Sequence, residues 1–276
     1  MRVVVLGSSL YSETGCAVAV RLAQMGCVPS GALVLSTLQR GTLLRKVAQW
    51  GLRGVASYAR GKLIPHQSRG QHVRNSYLQP LLKHERGVFR SLREVAALYS
   101  FPVALCKDQN APDSIALVRQ WSPDLIVFAG GSILRKQLLR VPRLGVINVH
   151  LGLLPEIRGM SSPEWSLLKR VPVGVTIHYM DAGIDTGPVL QRHEFPDPAQ
   201  CGTLADLRNR LIAFGVDKMA EVGSAIDRNA ISATPQHDLD RDNQFFVMHE
   251  WLQARAAERL TNSRTGVAAG TVSGRF

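Results

Sequence analysis

Short aliphatic runs separated by helical patterns constrain this chain more than any other feature. Val3-Val-Val-Leu6 and Leu125-Ile-Val-Phe-Ala129 carry no polar alternation, so they read as strands covered on both faces. Gly31 to Ser36, Pro102 to Cys106 and Gly145 to His150 add three more strands. A helical pattern from about Thr14 to Met25 separates the first two. Strand, helix and strand in that order argue for a right-handed parallel unit. The expected class is therefore α/β, built on a mostly parallel sheet. Val88, Leu92, Val95 and Tyr99 recur at helical spacing, and a second short helix is expected from Asn110 to Trp121. Ser132 is read as the cap of a helix running through Leu139. Ser162-Pro163-Glu164 is a helix start. Gly174 to Met180 and Pro188 to Phe195 read as further strands. Thr203 to Ile226 reads as a long helix opened by a capping-box-like pair, Thr203 and Asp206. A last helix is expected from Phe245 to Leu260. Thr261 to Phe276 has no core-forming content and is expected to be disordered.

The chain has 276 residues, enough to bury a sizeable core. No apolar run approaches the roughly 20 residues needed to span a bilayer. The four cysteines are scattered without metal spacing, and with the short apolar N-terminal run they point to a cytoplasmic protein with reduced thiols. Charge is uneven. The net value is +12, and no Asp or Glu occurs between Thr14 and His84, a span holding Arg21, Arg40, Arg45, Lys46, Arg53, Arg60, Lys62, Arg69, Arg74 and Lys83. Such a field attracts anions. Within residues 41–60, Lys46, Arg53 and Arg60 recur every seven residues, with Leu44, Val47, Val55 and Tyr58 on roughly the opposite face. Two readings stand for this basic helix: packing on the domain, or docking on an acidic membrane surface or partner. Gly61 to Gln79 reads as a long polar loop.

The chemistry concentrates in Gly145-Val-Ile-Asn148-Val-His150-Leu-Gly-Leu-Leu-Pro155-Glu-Ile-Arg158-Gly159 and in Gly174-Val-Thr-Ile-His178-Tyr-Met-Asp181-Ala-Gly183-Ile-Asp185-Thr-Gly187. Asn148 and His150 lie two apart on a strand, so they share a face. They stand at its C-terminal end, where open α/β sheets place ligands. Asp185 follows in a Gly-rich turn. An amide, an imidazole and a carboxylate together suit acyl transfer to an amine, in which an oxygen gains negative charge and a proton leaves the nucleophile. Singly, each has a bland alternative: a backbone-satisfying Asn, a hydrogen-bonded core His and a turn Asp. His178 is expected to pack near the site, and Asp181 to shape the turn. The loop after the first strand lacks Gly-x-Gly-x-x-Gly, which argues against a nicotinamide dinucleotide site.

Asn148, His150, Leu153-Leu154-Pro155, Arg158-Gly159, Gly174-Val175-Thr176 and Asp185-Thr186-Gly187 closely resemble the folate-dependent formyltransferase family, which includes methionyl-tRNA, glycinamide ribonucleotide and amino-sugar formyltransferases. The departure is Gly152, where the family pattern has Ser. The resemblance implies a Rossmann-like, mostly parallel sheet with helices on both faces. It suggests a catalytic domain over 1–228 with a basic insertion at about 40–79, followed by a helical extension and tail over 229–276. It implies Asn148, His150 and Asp185 as the catalytic trio and 10-formyltetrahydrofolate as formyl donor. Donor contacts are expected from Phe128, Ala129, Gly130, Gly131, Ile133 and Leu134 and from Asp181, Ala182, Gly183 and Ile184. Acceptor contacts are expected from Gly7, Ser8, Ser9, Arg158, Gly159 and Met160. No Cys/His cluster calls for a metal. The expected acceptor is an amine of a small, anionic biosynthetic intermediate, such as an amino sugar or an amino acid derivative. The roughly 80 residues after Phe195 read as helix and tail, which weighs against a tRNA substrate and nucleic acid. Hydrolysis of the formyl donor, with water replacing the amine, is the rival that keeps the same site. A non-catalytic binding module is the rival of a different class.

Overall fold

The computed structural model of the chain describes residues 1–36, 75–85, 87–237, 239 and 241–264. The basic helix expected at 41–60, most of the loop expected from Gly61 to Gln79 and the tail beyond residue 264 lie outside the described residues. The chain runs β1 (Val3–Gly7), α1 (Glu13–Gln24), β2 (Pro29–Leu35), α2 (Gln79–Leu82), β3 (Lys83–His84), β4 (Gly87–Val88), α3 (Leu92–Tyr99), β5 (Val103–Cys106), α4 (Pro112–Gln120), β6 (Leu125–Ala129), α5 (Lys136–Leu139) and β7 (Gly145–His150). It continues through β8 (Arg158–Gly159), α6 (Ser162–Lys169), β9 (Gly174–Tyr179), β10 (Val189–Glu194), α7 (Leu204–Asp227), β11 (Gln244–Phe245) and α8 (Glu250–Arg264).

Seven strands form one sheet in the order β10-β9-β7-β6-β1-β2-β5. The five from β7 to β5 are parallel, while β9 and β10 join as antiparallel strands at one edge. The α/β class and the mostly parallel sheet are as the sequence led one to expect. Alternation along β1 divides the core. Val3 and Val5 face a cluster with α1, α3 and α7, and Val4 and Leu6 face a second cluster with α4 and α5. Both faces are therefore covered by helices, and each buried Val or Leu contributes about 1.5–3 kcal/mol. Ser12 and Ser91 cap α1 and α3 by accepting from the backbone three residues on, at Gly15 and Glu94. At α7, Thr203 Oγ1 accepts from the Asp206 N–H at 3.0 Å, and Asp206 in turn accepts from the Gly202 N–H. The side chain of Asp206 thus reaches one residue further back than a strict capping box. α6 and α7 are tied by an ion pair, Glu164 Oε1 to Arg208 Nε at 2.5 Å, in which Glu164 is 1% exposed.

Three local expectations are corrected. Ser132 caps no helix: α5 begins only at Lys136, and the Ser132 N–H donates to Gln109 Oε1 at 3.2 Å. Phe245 is not helical, because Gln244–Phe245 pairs in parallel with Arg158–Gly159, and α8 starts at Glu250. Thr261 lies within α8, which continues to Arg264, with Leu260 buried and Arg259 donating to the carbonyls of Leu167 and Leu168. Among the described residues no helix is long and apolar enough to cross a membrane.

Pairing of β11 with β8 depends on Gly159. Its φ is +91°, a left-handed conformation, and an added Cβ would fall on the Phe245 carbonyl. Gly159→Ala is expected to lower stability by at least about 1 kcal/mol. It should also loosen the C-terminal segment, where Trp165 stacks on Phe245 and donates to the Phe246 carbonyl at 3.0 Å. Urea midpoints and Trp fluorescence would report both, and an unchanged midpoint would contradict the close approach.

Candidate active site

Strand order places a switch point between β1 and β6. From β1 the chain winds outward to β2 and β5, then returns to β6 and β7 on the other side. Ligands bind open α/β sheets outside the carboxyl ends of the strands at such a point. The loops that begin there are Gly7-Ser8-Ser9 and Gly130-Gly131. Gln109, fully buried, links them: its Nε2 donates to the Gly7 carbonyl at 3.1 Å, and its Oε1 accepts from the Ser132 N–H.

β7 delivers Asn148 and His150 at the same edge. In register with Asn148 stands His178 on β9, and Asn148 Nδ2 lies 3.3 Å from His178 Nε2. Asp185 reaches in from the turn between β9 and β10, held at φ +53°. Its Oδ2 is 3.3 Å from His150 Nδ1 and accepts from the Gly159 N–H at 2.9 Å. Its Oδ1 is 3.6 Å from His178 Nε2. Gln236, from the segment after α7, donates to the carbonyls of Asp185 and Gly187 and pins the turn. The structure thus brings the expected trio together and adds His178, a direct neighbour of both Asn148 and Asp185.

Acceptor groups decide where the ring protons sit. His150 Nε2 faces the Ile157 carbonyl at 2.8 Å, and a carbonyl can only accept, so Nε2 carries hydrogen. The nitrogen left to take or lose a proton is Nδ1, opposite Asp185. His178 Nδ1 donates to the Tyr179 carbonyl at 2.8 Å, which leaves Nε2 as an acceptor for the Asn148 amide in the neutral ring. Burial holds the His178 pKa below the usual imidazole range; Asp185 opposes the shift and the neighbouring His150 adds to it. A histidine whose folded pKa is lowered binds its proton more readily when unfolded. Its contribution to stability is therefore complete above the unfolded value near 6.5 and is lost as pH falls from there through the folded value. The urea midpoint should drop more steeply on acidification below pH 6.5 in wild type than in His178→Gln. Parallel curves would contradict the neutral assignment.

The remaining expected contacts are distributed as follows. Ile133 is 88% exposed and Ile184 is 51% exposed, so both present apolar surface beside the loops. Leu134 belongs to the core cluster under α4 and α5, and Phe128 and Met180, both partly buried, pack against that cluster. Leu134 is therefore covered rather than open, and Ala129 is buried with the strand. Asp181 shapes its turn, accepting from the Gly183 N–H at 3.0 Å and the Thr186 hydroxyl at 2.6 Å, with Ala182 between Asp181 and Gly183. Ser8 lies against Gly130, and Ser9 accepts from Tyr11. Met160 is exposed beside Gly159. Arg158 is 3% exposed, so its side chain lies inside the fold beside the β8–β11 pair. Gln109 and Gln236 carried no local sequence signal, since they act on groups 102 and 49 residues away along the chain.

A model of the formyl transferase family matches residues 70–222, more than half of the chain. Methionyl-tRNA formyltransferase from Syntrophus aciditrophicus is 36% identical over 177 residues, covering 60% of this chain and 56% of that protein. The Geobacter metallireducens protein of the same name is 32% identical over 193 residues, covering 67% of this chain and 61% of that protein. The match thus spans somewhat over half the length of these relatives. Among solved structures, glycinamide ribonucleotide transformylase 1 from Symbiobacterium toebii superposes with a TM-score of 0.55 at 16% identity, covering 86% of this chain and 94% of that one. An N-formyltransferase from Helicobacter canadensis, in complex with folinic acid and dTDP-3-aminofucose, gives 0.53 at 14% identity over 89% of this chain and 71% of that one. At such identities the likeness is one of fold, and it agrees with the sheet order and the family match. The chain belongs to the formyl transferase family.

Proposed function

We propose that this chain transfers a formyl group from 10-formyltetrahydrofolate to an amine. The observation that carries the reading is the approach of Asp185 to His150 at the carboxyl end of β7, 3.3 Å from Oδ2 to Nδ1, beside Asn148. The residues fit the donor. Gly130 and Gly131 leave backbone bare at the switch point, and a Cβ at Gly131 would strike the Gln109 carboxamide. Exposed Ile133 and Ile184 offer apolar contact, and the 181–184 turn offers backbone polar groups. When bound, 10-formyltetrahydrofolate supplies an activated formyl carbon.

The amide of Asn148 has two hydrogens, one of which goes to His178 Nε2. The other is available to an oxygen on which negative charge grows, an interaction typically worth about 2.7–4 kcal/mol in the transition state. Asp185 Oδ2 is engaged by the Gly159 N–H, so Oδ1 is the better placed oxygen to receive the proton of the attacking amine and to pass it to the folate nitrogen that leaves as the carbon–nitrogen bond to the formyl group breaks. With Nε2 already bearing hydrogen, Nδ1 donates to that carboxylate only in the imidazolium form, and in that form His150 steadies Asp185. Because its Nε2–H is given to Ile157, the imidazole works on Asp185 rather than as a second donor to the substrate oxygen.

The acceptor we favour is an amine on a small biosynthetic intermediate, an amino sugar or amino acid derivative, with anionic groups drawn by the +12 net charge. The resemblance to methionyl-tRNA formyltransferases favours a second reading, the amine of a charged tRNA. Incubation with 10-formyltetrahydrofolate and a panel of amino sugars on nucleotide or lipid phosphates, amino acids and methionyl-tRNA would decide. The expected result is a mass gain of one formyl group on one class. Release of formate without any amine would indicate hydrolysis, and no transfer with no folate binding would overturn the proposal.

A further inference from the structure

The hydroxyl that the family pattern carries at position 152 is missing here, and the space is not empty. A Cβ placed on Gly152 would stand 2.9 Å from His150 Nε2, 3.0 Å from the Ile157 carbonyl oxygen and 3.0 Å from the Ser162 Cβ. The occupant is Ser162, the first residue of α6 and 3% exposed. Its Oγ lies 3.0 Å from the Gly159 carbonyl oxygen and 3.3 Å from His150 Nε2.

We propose that Ser162 is a positioning residue for His150, supplying from across the pocket a hydroxyl that glycine at 152 makes room for. The donor pattern follows from the partners. The Gly159 atom within reach of the hydroxyl is its carbonyl oxygen, which can only accept, so the Ser162 O–H donates there. The Ser162 oxygen then turns a lone pair toward His150 Nε2, whose hydrogen is shared between it and the Ile157 carbonyl. Both neighbours of Nε2 are thus acceptors, and that nitrogen keeps its hydrogen in either charge state. Proton exchange is confined to Nδ1, the atom facing Asp185. The same hydroxyl is anchored on the Gly159 carbonyl, and the Gly159 N–H holds Asp185 Oδ2. One peptide segment therefore sets both the imidazole and the carboxylate.

The kinetic part of the test rests on the formyl-transfer reading, whereas the ring measurement does not. In Ser162→Ala, turnover is expected to fall about 10-fold, as for loss of one hydrogen bond to a charged ring, with the KM for the folate within about 2-fold. By nitrogen-15 NMR of the His150 ring, a smaller fraction of neutral rings should carry hydrogen on Nε2, since one of the two acceptors that hold it there has gone. Gly152→Ser alone should be poorer than Ser162→Ala, because the new side chain meets both Ser162 and the ring. Gly152→Ser combined with Ser162→Gly should recover part of the lost turnover and restore the wild-type tautomer ratio of the ring. A wild-type tautomer ratio of the His150 ring in folded Ser162→Ala, or a double variant no better than Gly152→Ser alone, would overturn the proposal. A changed tautomer ratio without transfer activity in the wild type would uphold the positioning role and refute the reaction assigned above.

Discussion

His150→Ala and Asp185→Asn are each expected to lower turnover at least about 100-fold while the protein stays folded. The two groups form one unit. Asp185 Oδ2 is fixed by the Gly159 N–H and by His150 Nδ1, so Asp185→Asn would remove the charge that both neighbours address. Removal of the imidazole leaves the carboxylate with the backbone donor and the more distant His178, but without the ring that faces Oδ2. The double variant should therefore be little worse than either single variant, since residues acting as a unit are not additive. Asn148→Ala is expected to reduce the maximal rate more than it weakens folate binding, because its donated hydrogen bond strengthens as charge develops on oxygen. Turnover measured at saturating folate and acceptor, on preparations with wild-type circular dichroism, would check these expectations. Near-wild-type turnover in His150→Ala would remove the unit from the reaction.

The largest loss of stability is expected from Arg208→Ala. Glu164 is 1% exposed and its Oε1 lies 2.5 Å from Arg208 Nε, so truncation of the arginine strands a buried carboxylate. Breaking a buried pair on one side costs about 3–5 kcal/mol. Arg208 is itself 44% exposed, so water reaching the carboxylate's neighbourhood argues for the lower end, about 3 kcal/mol. At roughly 2–4 °C per kcal/mol for a domain of this size, the melting temperature should fall by roughly 6–12 °C. Replacing both partners, Glu164→Gln with Arg208→Met, should be milder than Arg208→Ala, since no charge is then left buried. A double variant as unstable as Arg208→Ala would show that the arginine acts through packing of its stem rather than through the carboxylate.

Much of this arrangement could be read along the chain. The unbroken aliphatic runs at Val3–Leu6 and Leu125–Ala129 became the central pair of the sheet, β1 and β6. Burial on both faces leaves no polar alternation, so such strands announce themselves locally. Asn148 and His150 were legible because strand alternation puts residues two apart on one side, and Asp185 because it stands in a Gly-rich turn after a strand. Ser132 misled because a serine before an apolar stretch resembles a cap, whereas here its N–H and hydroxyl turn to Gln109. Phe245 misled because helical periodicity in the following residues masked a two-residue strand that pairs with β8, more than 80 residues away.

The sequence by itself determined the seven strands of the main sheet and the long helices, since these rest on patterns of neighbouring residues, aliphatic runs and helical spacing, while the choice of Asn148, His150 and Asp185 came from the resemblance to the formyltransferase pattern. Only the tertiary structure decided what surrounds the trio. Ile157 and Ser162 commit one nitrogen of His150, Tyr179 commits one nitrogen of His178, Gly159 holds Asp185, and Gln236 closes the turn from beyond α7. Those choices set which atom can carry a proton. They are invisible along the chain because a hydrogen bond depends on the distance and direction between two groups, and the fold sets both only after the intervening residues have been packed.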